Sequence, residues 1–247
     1  MLVYKINPMT QLRMLWISIL ANAIPAFVSA QVNTKTDAYT GYAYKPGTQS
    51  LVYKEQNTEK YINNKHTETQ TSYYSQSNQL IATRTLDFSN SLYTPSFKTE
   101  DLRTGYMEGV AVTGYQARMF VRKDKTASIK EKVITLNAPM VIDGGFNQFI
   151  KDHWSQLMQN QAVVFNFVVP ARLNYYNLRA CKIAATSTEV KIRIEPNSAL
   201  LRWIAPPIIV NYNILTRRIT NYEGKSNITD DEGSNSVVTL VYPDKGP

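Results

Sequence analysis

The chain of 247 residues has one cysteine, two histidines and no run of five or more lysines and arginines. A single thiol cannot close an intrachain disulfide, so the fold must rest on its core. Two His and one Cys are too few for the usual nitrogen and sulfur set of a zinc site, and no metal or cofactor is expected. Neither a Gly-x-Ser-x-Gly nucleophile elbow nor a G-x-G-x-x-G phosphate loop occurs. With only 19% charged residues against 43% hydrophobic ones, the chain is not of the disordered class. Long apolar runs are missing too. The best, residues 14–24, holds 11 residues before Pro25 and falls short of the ~20 that span a bilayer.

That run is informative for another reason. Lys5 and Arg13 precede it, and the small-residue triplet Val28-Ser29-Ala30 follows it, the order of a secretory signal cut between Ala30 and Gln31. The start is Met1 or Met9, with no consequence downstream. Residues 1–30 are therefore expected to be a signal peptide with its own helix, and residues 31–247 a single exported domain. Such a product is expected to be exported and not an integral membrane protein. Loss of Lys5 and Arg13 leaves 25 basic against 19 acidic residues, a formal charge of about +6. The basic residues are scattered from Lys35 to Lys245, which argues against a nucleic-acid partner, since that footprint is normally concentrated.

Strand signals dominate the mature chain. Tyr39, Tyr42 and Tyr44 lead into Lys45-Pro46-Gly47-Thr48, a type II turn signature, and Leu51-Val52-Tyr53 returns as a hairpin. Residues 58–78 are rich in Thr, Gln, Asn and Tyr and read as strands with one solvated face; their polar length from Tyr61 to Tyr74 predicts an edge able to take a partner strand. Residues 79–88, 105–123 and 128–136 read as further strands, and 89–99 as a loop. Later, 163–169, 189–195, 201–205, 208–215 and a hairpin from Ile219 to Tyr242 continue the pattern, with the acidic triplet at Asp230 as a solvated tip.

The period changes once. Phe146, Phe149, Ile150, Trp154 and Leu157 recur at spacings of three and four, predicting one helix over 146–159 with Asp143 as its cap. A lone amphipathic helix needs a sheet to cover it, so the expected fold is mainly β: a large curved antiparallel sheet, an open barrel or half-barrel, around one long helix. Phe146, Phe149, Trp154, Phe165 and Phe167 are the candidate wall of a groove for a lipid, an acyl chain or another hydrophobic ligand. Asp143, Arg172, Arg218, Glu223 and Asn227 form a candidate polar network, with Arg172 pairing Glu223 or Asp143, read as register-fixing ion pairs ahead of a polar site at the barrel mouth. His66 and His153 have no nucleophile motif beside them, and Cys181 is expected to be buried. No catalytic residue is assigned.

Three segments also carry a resemblance: Val141-Ile142-Asp143-Gly144-Gly145-Phe146-Asn147-Gln148-Phe149 through Trp154, Phe165 to Arg172, and Tyr222-Glu223-Gly224-Lys225-Ser226-Asn227-Ile228. Together they resemble a family of uncharacterised exported proteins of Gram-negative bacteria. The resemblance implies a periplasmic localisation more than an activity. More distantly, a helix held by a curled sheet is similar to the half-barrel of periplasmic lipoprotein carriers, which implies an acyl-binding concave face. The alternative expectation is an envelope structural or assembly protein acting through protein partners.

Overall fold

A computed structural model describes residues 1–2, 32–137, 139–203, 205–230 and 235–243. The chain divides into two units, 1–31 and 32–247. The expected signal helix and its cleavage residues Ala30 and Gln31 lie outside the described residues.

The second unit begins with β1 (Thr34–Tyr44) and β2 (Leu51–Ile62). They are joined by the turn read from the sequence: Thr48 N–H donates to the Lys45 carbonyl at 3.1 Å, and Gly47 takes φ +69°, the left-handed third position of a type II turn. The chain then meanders through β3 (Lys65–Tyr74), β4 (Leu80–Asp87), β5 (Ser96–Asp101), β6 (Met107–Thr113), β7 (Gln116–Arg122) and β8 (Lys130–Thr135). The loop expected over 89–99 therefore ends at Pro95. After β9 (Met140–Ile142) come α1 (Gly145–Asp152) and α2 (Trp154–Met158). A second meander follows: β10 (Val163–Val169), β11 (Asn174–Ala185), β12 (Glu189–Pro196), β13 (Ile208–Asn213), β14 (Ile219–Lys225) and β15 (Val237–Val241). Residues 201–203, expected as a strand, form a 3-10 turn, because Pro206-Pro207 cannot join a ladder.

All fifteen strands form one sheet in the order β8-β7-β6-β5-β4-β3-β2-β1-β15-β14-β13-β12-β11-β10-β9. Laid flat, fourteen gaps of ~4.8 Å would separate the outer strands by about 67 Å. The link from Thr135 to Met140 has four residues and, over five Cα steps, spans at most about 18 Å. The sheet must therefore curl until its ends approach, yet β8 and β9 share no ladder and it stays open. Packing agrees: Met140, Ile142 and Val168 from one end are buried with Leu86, Phe97, Val110 and Met119 from the other. Among the described residues, no helix is long and apolar enough to cross a membrane.

Helices α1 and α2 are the crossover between β9 and β10, the one parallel pair among the described residues. Parallel neighbours need a connection of a dozen or more residues, and 143–162 supplies it, laying the helical segment over the inner face. The single long helix of the sequence reading is broken at His153. Its ring Nδ1 lies 2.8 Å from the Phe149 carbonyl, which its backbone N–H also approaches at 3.2 Å, and its backbone leaves helical geometry at ψ 15°. Two donors competing for one carbonyl interrupt the ladder. Asp143 is not the cap either: Gly144 holds that position without a side-chain bond, and Asp143 itself takes φ +44°.

Two further expectations are corrected. The polar strands β2 and β3 are central, each paired on both sides, so the predicted open edge does not exist there. The true edge β8 carries exposed Lys130, Glu131 and Lys132, charges that discourage edge pairing. Cys181 is half-buried, because its neighbour Ala180 takes the inward position on β11.

Candidate functional site

Strand alternation decides what faces the interior. Along β2 the buried positions are Tyr53, Glu55, Asn57 and Glu59, while Gln56, Thr58 and Lys60 face solvent. The face read as solvated is thus partly turned inward, with Glu55 only 3% and Glu59 9% exposed. Across the ladder, Asn57 is opposite Tyr39 and Thr71, and Thr71 is opposite Arg84, which extends the polar row over four strands.

Buried carboxylates need hydrogen-bond donors, and tyrosines supply them. Tyr39 and Tyr61 hydroxyls donate to separate oxygens of Glu59 at 2.8 and 2.7 Å. The Tyr242 hydroxyl donates to Glu55 Oε1 at 2.7 Å, and the Asn57 amide donates to the same oxygen at 3.1 Å. Thr71 Oγ1 in turn donates to Asn57 Oδ1 at 2.7 Å. On β1, Gly41 lies under this group: an added Cβ would sit 2.7 Å from the Tyr242 ring and 2.8 Å from Glu55 Cγ. Only a residue without a side chain lets both approach the strand.

These residues form one wall of a cavity of about 490 Å³ between sheet and helix. Phe146, Phe165, Phe167, Ile194, Ile208 and Val210 form the opposing apolar wall. Asp143 and Arg84, an ion pair between the helix entry and β4, close one side, and Arg218 closes another, held to Asp37 at 3.1 Å. Of the residues singled out from the sequence, Phe146, Phe165, Phe167, Asp143, Arg218 and Asn227 line this space. Phe149 and Trp154 do not; they are buried in the core behind it. Arg172 and Glu223 are exposed and away from it, so the expected pairing of Arg172 with Glu223 or Asp143 is replaced by Arg84 with Asp143. The sequence reading missed Glu55, Asn57, Glu59 and Arg84.

His66 is stacked on Tyr61 and against Phe88, and its Nε2 lies 3.0 Å from the Glu68 carbonyl, a contact that requires the proton on that nitrogen. It therefore cannot act as a base on the adjacent Thr69 hydroxyl through that atom.

Burial raises the tyrosine pKa values around the cavity. Tyr73 and Tyr222 are pushed up to about 12 by burial, and Tyr39 and Tyr242 are raised further by Glu59 and Glu55. The folded state thus keeps protons that unfolded tyrosines release near 10, so stability falls as pH rises above about 10. A phenolate absorbance titration should show exposed tyrosines ionising near 10, and the buried set ionising only toward pH 12 or with loss of the fold. Ionisation of every tyrosine near 10 with the fold intact would contradict this.

Comparison with protein families, with curated proteins and with solved structures finds no match for the chain.

Proposed function

We propose that this chain is an exported, periplasmic binding protein that holds a hydrophobic or amphiphilic molecule in the cavity between its curled sheet and helix. The observation that carries this reading is the cavity itself: about 490 Å³, within the range of small-molecule sites, with an apolar wall facing a polar one. A packed core would have filled such a volume, since interiors leave few voids larger than a water molecule. The two walls match a molecule with an apolar body and a polar end.

The test is titration of the purified protein with the uncharged probe N-phenyl-1-naphthylamine. Saturable fluorescence enhancement at one probe per chain is expected. Phe167→Asp, which puts a charge into the apolar wall, should weaken it by about tenfold or more. Absence of saturable binding by the native protein would overturn the proposal.

A further inference from the structure

We infer that one rim of the curled sheet seats on a lipid bilayer surface, with the β12–β13 connection, residues 197–207, entering the headgroup region through Leu200, Leu201 and Trp203. None of these three lines the cavity, so the inference stands apart from the ligand reading.

Exposure gives the first argument. Leu200 is 77% and Trp203 89% exposed, and Leu201 is exposed beside them in the same 3-10 turn region. Single exposed apolar side chains are ordinary, but three within four residues form a patch. The connection is anchored at its base: Asn197 N–H donates to the Asn177 carbonyl at 3.0 Å, and Asn197 Nδ2 donates to Asn177 Oδ1 at 2.9 Å. That pairing sets the patch beside the start of β11, where Tyr175 and Tyr176 are exposed. Trp and Tyr next to leucines favour the boundary between headgroups and acyl chains. Leu80, Leu102 and Val237 are exposed at strand ends of the same rim.

The backbone of the connection favours lipid over a protein groove. Main-chain groups that enter an apolar phase must be satisfied internally. The Arg202, Trp203 and Ala205 N–H groups donate to the Ser198, Leu200 and Leu201 carbonyls at 3.3, 3.4 and 3.1 Å, and Pro206 and Pro207 have no N–H. The one charge in the connection is drawn back to its base, where an Arg202 terminal nitrogen donates to the Asn197 carbonyl at 3.2 Å. The tip is left apolar.

Charge gives an independent argument. The antiparallel order brings the turns 45–50, 102–106, 123–129 and 170–173 to the same end of the strands as this connection. The exposed charged side chains of those turns are Lys45, Lys123, Lys125 and Arg172, whereas Asp124 is half-buried. In the β14–β15 connection Asp230 is half-buried too, and Asp231 and Glu232 lie outside the described residues. An apolar tip within a rim of exposed basic side chains matches the acyl chains and anionic headgroups of a bilayer.

The experiment adds vesicles of phosphatidylcholine and phosphatidylglycerol, plain or brominated on the acyl chains, to the purified protein carrying Trp16→Phe, in which Trp154 and Trp203 are the remaining tryptophans. Trp203 emission should shift to the blue and be quenched by the brominated chains, while buried Trp154 is not quenched. Leu200→Asp should weaken cosedimentation with the vesicles by about tenfold or more. Leu215→Asp, at an exposed site on the opposite rim between β13 and β14, should leave it unchanged. Both leucines are at the surface, so neither change disturbs the core. Absence of vesicle association overturns the inference, and so does association that Leu200→Asp leaves intact, the result expected if residues 1–30 carry it. Self-association that Leu200→Asp abolishes, without lipid binding, would assign the patch to a second copy of the chain and overturns the inference as well. Each of these results leaves the cavity reading standing.

Discussion

Asp101→Ala should lower the free energy of unfolding by about 3–5 kcal/mol, read from urea denaturation, because it removes the acceptor of a buried charged cluster. Asp101 ends β5 and is 1% exposed. Its Oδ1 accepts from the Arg103 backbone N–H at 3.0 Å and from Arg103 Nε at 3.1 Å. Its Oδ2 accepts from an Arg103 terminal nitrogen at 2.7 Å and from Thr229 Oγ1 at 3.0 Å. The same arginine reaches the Thr229 carbonyl, so one side chain ties the β5–β6 turn to the segment after β14, 126 residues away. Alanine would leave these donors without that carboxylate. Asp101→Asn keeps one oxygen and should cost less.

Acidity provides a second readout of the same cluster. Burial alone would raise the Asp101 pKa, but the hydrogen bonds and charge of Arg103 outweigh it and hold the carboxyl below its usual range. A depressed folded pKa contributes stability that is complete above the unfolded carboxylate value and is lost as pH falls through the folded one. The acid limb of a stability profile should accordingly be shallower in Asp101→Ala than in the native chain. A loss under about 1 kcal/mol, with an unchanged acid limb, would show that the cluster does not hold the two segments together.

How much of this was legible in the residues depended on whether a pattern carried a sign. The turn at 45–48 was readable because Pro46 and Gly47 each demand a backbone geometry, and both found it. Strand β12 was readable because Val190, Ile192 and Ile194 alternate with charged residues, which fixes both the element and its buried face. Strand β2 alternates just as strictly, but Glu55, Asn57 and Glu59 alternate with Gln56, Thr58 and Lys60. A period of two between polar and polar says nothing about which face is buried, and the site was missed there. Strand β11 carries no such signal, since its burial is irregular and most of it is exposed. The helix was found from its apolar spacing; its break at His153 depends on a ring-to-carbonyl contact that periodicity does not encode.

Pairing across the curled sheet was the least legible. Arg84 and Asp143 come from β4 and the helix entry, and nothing local selects Arg84 over Arg172 as the partner. The curl chooses it, by bringing the β9 end of the sheet onto β4–β7. Fold class follows from local patterns, whereas the polar wall of the cavity follows from which strands face each other after closure.

The same distinction separates two phenylalanines three residues apart on α1. Phe149→Ala should destabilise the fold by about 3–5 kcal/mol, the usual range for emptying a packed aromatic site. Its side chain is 1% exposed, with the Tyr93, His153 and Phe165 rings at 5.6, 4.1 and 4.9 Å. Those neighbours come from the loop before β5, the helix break and β10, so no single one can shift to fill the void. Phe146→Ala should cost only about 1–2 kcal/mol, because its ring already borders the cavity and its loss enlarges a space instead of creating one. Binding should respond in the opposite order, with N-phenyl-1-naphthylamine weakened more by Phe146→Ala than by Phe149→Ala. Equal losses of stability in the two variants would mean that the helix stripe is packed along its whole length, and the cavity would then not reach the helix.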